Sequence, residues 1–298
     1  MEKPQALKIG DKVSIISTAR KISLEEVQPA INLLTDWGLE VVLGKNLFAE
    51  DHQFAGTKAQ RLADLQQALN NDEIKAVYCA RGGYGTVQLI DEIDFSHFKK
   101  QPKWIVGYSD VTVLHNHINQ NFGIATLHAT MPINFKTNTT EALQSLKDAL
   151  FGNTLNYQCA PHTYNRLGEA KGELVGGNLS ILYSLTGTIS QINTQGKILF
   201  LEDLDEYLYH IDRMMQNLKR AEMLHGLKGL LIGGMTDMND NTVPYGHSAI
   251  DIIKNIVEAY DFPVAFGFPA GHLADNRTLI MGGEVTLSVD ENEILLNF

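Results

Sequence analysis

The chain has 298 residues, 44% of them hydrophobic and 20% charged, with a formal net charge of −11. This is enough sequence for two globular domains with their own cores, and the acidic balance argues against nucleic acid or an anionic membrane as a partner. No apolar run reaches the roughly 18 residues of a membrane span, and Met1-Glu2-Lys3-Pro4-Gln5 has no basic flank followed by an apolar stretch, so no secretory signal is expected. Two cysteines, Cys79 and Cys159, neither in a metal-ligand spacing, fit a reduced, cytoplasmic setting.

Lys12 to Ile16 reads as a strand, and Leu24, Val27, Ile31 and Leu34 recur at helical spacing until Gly38. Val41-Val42-Leu43 is a second strand, a helix covers Arg61 to Leu69, and Ile74 to Tyr78 is a third strand. The turn Gly82-Gly83-Tyr84-Gly85 follows, with a helix expected through Val87, Leu89 and Ile90. Trp104-Ile105-Val106 is a short buried strand, and Val113, Leu114, His117 and Ile118 begin the next helix. Repeated βα units of this kind predict a mostly parallel sheet with helices on both faces, and ligands bind such sheets at the carboxyl ends of the strands.

A helix with Asn138 and Glu141 as a capping box is expected to run to about Leu150. Residues 152–171 lack periodicity and read as a connection between an N-terminal α/β domain, 1–151, and a C-terminal domain, 172–298. The second half shows Gly176-Gly177-Asn178, a helix through Leu179, Leu182 and Leu185, a strand from Lys197 to Leu201, and a long amphipathic helix. It ends in two alternating strands, Glu284 to Val289 and Glu293 to Phe298.

Between Trp104-Ile105-Val106 and the following helix lies Gly107-Tyr108-Ser109-Asp110. A serine at a strand-to-helix turn exposes its hydroxyl beside free backbone N–H groups, which is how a nucleophile is presented; it can equally be an N-cap. A base is then needed, and His272, in a loop just after the apolar run Val264-Ala265-Phe266, stands apart from the other nine histidines, though a surface loop histidine is the plain alternative. His115 and His117, two apart on a helix, make a poor metal pair. Glu202 leaves the strand end first and is the candidate orienting acid, with Asp203, Asp205 and Glu206 as neighbours that form a solvated acidic cluster in the other reading. The backbone N–H of Asp110 and the Gly82-Gly83 turn are candidate oxyanion donors, and the spacing around them fits neither a nucleotide-phosphate loop nor a dinucleotide motif.

These residues together resemble the LD-carboxypeptidases, which include the muramoyltetrapeptide carboxypeptidases of murein recycling and the microcin C self-immunity peptidases. The resemblance rests on Leu7-Lys8-Ile9-Gly10-Asp11-Lys12-Val13, Phe54-Ala55-Gly56-Thr57, Ala80-Arg81-Gly82-Gly83-Tyr84-Gly85, Gly107-Tyr108-Ser109-Asp110-Val111-Thr112, Gly176-Gly177-Asn178-Leu179, Leu201-Glu202-Asp203, Ile211-Asp212-Arg213-Met214 and Gly271-His272, in the family's order across nearly the whole chain. It implies an N-terminal α/β domain and a β-rich C-terminal domain with the site between them. It also implies Ser109 as nucleophile, His272 as base, Glu202 as its orienter and an oxyanion hole around Gly83 and Asp110. The implied enzyme is a homodimer without metal or organic cofactor that hydrolyses the amide between an L-configured centre and the terminal D-alanine of a murein tetrapeptide. The chain departs from the family after Leu127-His128, where Ala129-Thr130 stand in place of glycine and proline. The competing readings are a peptidase detoxifying a peptidyl-nucleotide antibiotic, a non-catalytic muropeptide-binding protein, and a glutamine amidotransferase-type α/β domain using Cys79 as nucleophile.

Overall fold

Local caps start the first two helices. In the computed structural model, which describes residues 1–298, Ser23 and Glu26 form a capping box at α1 (Leu24–Asp36), and Thr57 and Gln60 form another at α2 (Lys58–Asn70). These helices alternate with strands β1 (Lys12–Ile16), β2 (Glu40–Leu43) and β3 (Ile74–Cys79). Next come β4 (Trp104–Gly107), α3 (Thr112–Phe122) and β5 (Thr126–His128). The helix expected through Val87 and Ile90 is instead two 3₁₀ turns, Thr86–Gln88 and Ile90–Glu92, because Thr86 N–H and the Gly85 carbonyl are held by Asp110 and Arg61. At α4 (Thr140–Phe151) the cap is Thr139, whose hydroxyl accepts from Ala142 N–H, rather than Asn138, whose amide donates to Thr130.

The second half comprises β6 (Asn156–Cys159), β7 (Gly168–Asn178), α5 (Leu179–Leu185), β8 (Ile198–Leu204), α6 (Leu208–Arg220) and β9 (Gly229–Thr236). It ends with α7 (Ala249–Val257), β10 (Val264–Phe266), β11 (Leu279–Met281), β12 (Glu284–Val289) and β13 (Ile294–Asn297). The segment expected as a connection, 152–171, therefore holds all of β6 and the start of β7. Alternation of polar and apolar residues over four positions in β6 is too short to register as a pattern.

Two sheets result. The first has order β11-β5-β4-β3-β1-β2, parallel except for β11, and the second β10-β9-β8-β7-β12-β13-β6. In the first, strand order reverses between β1 and β3, so the crevice for a ligand opens beyond their carboxyl ends. The second is parallel from β7 to β10, with β12, β13 and β6 added antiparallel. A single apolar cluster runs from Leu7 and Val13 through Leu127 and Phe200 to Leu296, so the two sheets share a core. The far side of the second sheet is closed by α6, which buries Ile211, Met214, Met215 and Leu218, each contributing about 1.5–3 kcal/mol of hydrophobic stabilisation.

The chain crosses between sheets at one place that matters for chemistry. After β10 in the second sheet it runs through residues 267–278 and joins the first sheet as β11, with Leu279 paired to His128. His272 lies in that crossing.

Candidate active site

At the end of β4 the backbone turns sharply. Ser109 has φ +62°, a left-handed conformation uncommon for a side-chain-bearing residue. The turn tightens into the 3₁₀ segment Ser109–Val111 and then α3. Asp110 is buried, and its Oδ2 accepts from Thr86 N–H at 2.9 Å, tying this turn to the Gly82–Gly85 turn. Burial pushes the Asp110 carboxyl above its ordinary value, against the Thr86 hydrogen bonds and the Arg61 charge. Arg61 completes the brace, its Nη1 donating to Thr18 O at 2.8 Å and Gly85 O at 3.1 Å. The loops after β1, β3 and β4 are thus fastened together at one sheet edge. Arg61 and the Asp110 side chain were not singled out from sequence, where neither differs from any other charged residue in a helical stretch.

The Gly82 backbone lies against the serine: a Cβ at Gly82 would stand 2.9 Å from Ser109 Cβ and 3.0 Å from Ser109 Oγ. The backbone N–H groups of Gly83 and Asp110 donate to no other group of the protein, as donors awaiting an oxyanion would. Ala129 and Thr130 are both fully buried, so the departure from the family pattern falls in the packing behind the site; Met131, next along, backs Gly82.

The candidate acid comes from the second sheet and the candidate base from the crossing that follows it. Glu202 sits on β8 opposite Asn178 of β7, beside an irregularity in the β8–β9 register between Leu201 and Asp203. Strand alternation sends Glu202 and Asp203 to opposite faces. Glu202 Oε2 is 2.6 Å from His272 Nδ1 and also accepts from the His272 backbone N–H at 3.3 Å. The His272 loop is held by Gly234 N–H to Ala270 O, Gly271 N–H to Asn276 Oδ1 at 2.8 Å, and Thr139 N–H to Ala274 O at 2.9 Å. The other acids are engaged elsewhere. Asp203 accepts from Asn178 and Ser180, Asp205 from Asn239, and Glu206 pairs with His210.

Glu202 is completely buried. Burial alone would push its carboxyl up, but His272 and His128 outweigh it and hold it at about 2, so it stays ionised at neutral pH. Burial lowers His272, yet the Glu202 charge and hydrogen bond, with Asp203 behind, bring it above the ordinary histidine value. The Tyr108 ring stands edge-on to the His272 ring, centroids 4.9 Å apart, which sets the imidazole beside the residue preceding the serine. No hydrogen bond joins Ser109 to His272 in this arrangement; such contacts are often long in a free enzyme and tighten around substrate.

Cys79 is fully buried and burial pushes its thiol up to about 12, the state of an inert core cysteine. No cluster of metal-ligating side chains occurs, and no helix is long and apolar enough to cross a membrane.

The chain has known relatives. Residues 13–129 match the model of the LD-carboxypeptidase N-terminal domain and residues 171–287 that of the LD-carboxypeptidase C-terminal domain. A probable murein peptide carboxypeptidase of Bacillus subtilis is 37% identical, over 99% of this chain and 94% of the relative. The crystal structure of muramoyltetrapeptide carboxypeptidase from Oxalobacter formigenes superimposes with a TM-score of 0.86 at 26% identity, covering 96% of this chain and 98% of that one. The microcin C7 self immunity protein MccF shares the fold, with a TM-score of 0.89 at 20% identity over 99% and 98% of the two chains. The chain belongs to the LD-carboxypeptidase family and is a serine-type carboxypeptidase.

Proposed function

We propose that this enzyme removes the terminal D-alanine from murein tetrapeptides, cleaving the amide that joins it to an L-configured centre, with Ser109, His272 and Glu202 as its catalytic triad. The observation that carries the reading is the 2.6 Å contact of the buried Glu202 carboxyl with His272 Nδ1, set beside a serine turn of positive φ edged by unpaired N–H groups. Ser109 Oγ attacks the carbonyl while His272 Nε2 takes its proton, and Glu202 fixes the tautomer and stabilises the imidazolium. The oxyanion rests on the Gly83 and Asp110 N–H groups, where losing one donor typically costs about 10²–10³ in kcat. His272 then protonates the leaving D-alanine amine, and water resolves the acyl-enzyme with His272 as base. In this reading the enzyme works in murein recycling as a cytoplasmic homodimer without metal or organic cofactor, and its partner is a muropeptide.

The test incubates the protein with a murein tetrapeptide and follows D-alanine by mass spectrometry. Wild type is expected to release it, Ser109→Ala to lose about a thousandfold or more in kcat with the fold intact, and Cys79→Ala to keep activity. If folded wild type instead cleaves only a peptidyl-nucleotide, the detoxifying reading replaces this one. Binding of muropeptide without turnover would make it a binding protein.

A further inference from the structure

Glu202 has two oxygens, and His272 uses only one of them. Oε2 takes both contacts from His272, whereas Oε1 is fully buried and has no hydrogen-bond partner. A buried carboxylate oxygen left in this state is uncommon in a folded protein. A second basic group, His128 Nε2, stands 4.0 Å from Oε1, and both nitrogens of that completely buried ring are also unpaired. Resting on the triad proposed above, we infer that His128 is a positioning residue whose Nε2–H donates to Glu202 Oε1, clamping the acid from the side opposite His272.

The fold puts His128 where such a clamp must be. It ends β5, paired on one side with Gly107 of the nucleophile strand and on the other with Leu279, the first residue after the His272 crossing. Its ring packs edge-on against Phe200, two residues before Glu202 on the same face of β8, and tilted against Tyr108. The titratable groups around it are Glu202, His272, Tyr108 and His115, with Asp203 behind the strand. His115 is committed elsewhere, its Nε2–H donating to Gly107 O at 2.8 Å, and burial pushes it down to about 3, so it stays neutral. An approach of about 1 Å brings His128 Nε2 to hydrogen-bonding distance of Oε1. A carboxylate held at both oxygens cannot rotate Oε2 away from the base.

Two measurements test this. In wild-type protein, nitrogen-15 NMR of the histidine rings is expected to show His128 carrying a proton on Nε2; an Nε2 without a proton overturns the inference, whatever the substrate is. In kinetics on a peptide that wild type hydrolyses, His128→Leu is expected to lower kcat about tenfold or more with KM little changed, and to move the acidic limb of kcat/KM upward. The limb moves that way because a carboxylate freed of one donor attracts the His272 imidazolium more strongly. His128→Gln, whose amide offers an N–H near the same position, is expected to restore most of kcat and the wild-type limb. Equal losses in both variants with an unmoved limb would mean that His128 only fills space, and overturn the inference. If the leucine variant does not fold, the NMR result and the glutamine variant decide alone.

Discussion

The two halves of the candidate active site are built by different means. The nucleophile half is local: β4, a turn with φ +62° at Ser109 and the start of α3 come from one short stretch, braced by Asp110 to Thr86 and by Arg61 to Gly85. The acid–base half is tertiary: Glu202 and His272 are 70 residues apart and meet only because the chain leaves one sheet at β10 and enters the other at β11. A local half can be misplaced by one residue, whereas a tertiary half depends on how two sheets are docked. Substitutions on the two sides should therefore fail in distinguishable ways.

Glu202→Gln should have the largest effect on the tertiary side. Losing the charge that stabilises the imidazolium is expected to cost about 10³–10⁴ in kcat. It should also move the acidic limb of kcat/KM. In wild type Glu202 raises His272 above the ordinary 6.5, so the neutral base appears only above that pH. Without the charge burial dominates and the limb should fall below it. A profile that stayed in place would detach Glu202 from the base, and Asp203→Asn assayed alongside would reveal whether its neighbour holds the role.

Two glycine substitutions sharpen the comparison. Gly271 has φ +105°, and a Cβ there would meet Glu202 Cβ and Oε2 at 2.7 Å, so Gly271→Ala must shift the acid. A displacement of about 1 Å costs on the order of a hundredfold in kcat, with a shifted pH limb and a stability loss of about 1–3 kcal/mol. Gly82→Ala presses on Ser109 instead. It should lower kcat by a similar or smaller factor and leave the limb where it is. Limbs that moved equally in both variants would mean that the halves are not separable.

The same division explains what could be read from the sequence. Trp104-Ile105-Val106, the serine turn and the helix after it form one strand–turn–helix pattern, so the turn that presents the candidate nucleophile was legible with its supporting structure. His272 was legible only as a histidine after an apolar strand, and among four nearby acids only the opposite-face alternation within β8 separates Glu202 from Asp203. His128, Tyr108 and Arg61 meet their partners across strands and loops, and such contacts leave no local signature. β11 is three residues long, and its pairing with β5 depends on the whole crossing, so a strand donated by the second half to the first sheet could not be anticipated.

Asp203 gives the smallest catalytic effect and the sharpest contrast, because it differs from Glu202 by one position and a face. Burial beside the Glu202 charge raises Asp203 to about 7, against donors from Leu204, Asn178 and Ser180. The folded protein therefore keeps a proton that an unfolded chain gives up near 3.8. Stability through this group is greatest at low pH and declines as pH rises from about 4 to about 7, by about 4 kcal/mol at most. Glu202 has the opposite sign: its contribution is present above 4.5 and disappears as pH falls toward 2. His272, raised in the fold, contributes below 6.5 and loses that contribution as pH climbs through its folded value, in the same direction as Asp203. Comparing Asp203→Asn with wild type isolates the carboxyl from the histidine. Between pH 5 and 8 the melting temperature of the variant should decline less than that of wild type, while kcat falls less than tenfold. Parallel melting curves would mean that the three N–H donors keep Asp203 ionised throughout, and that both faces of β8 carry charge at neutral pH.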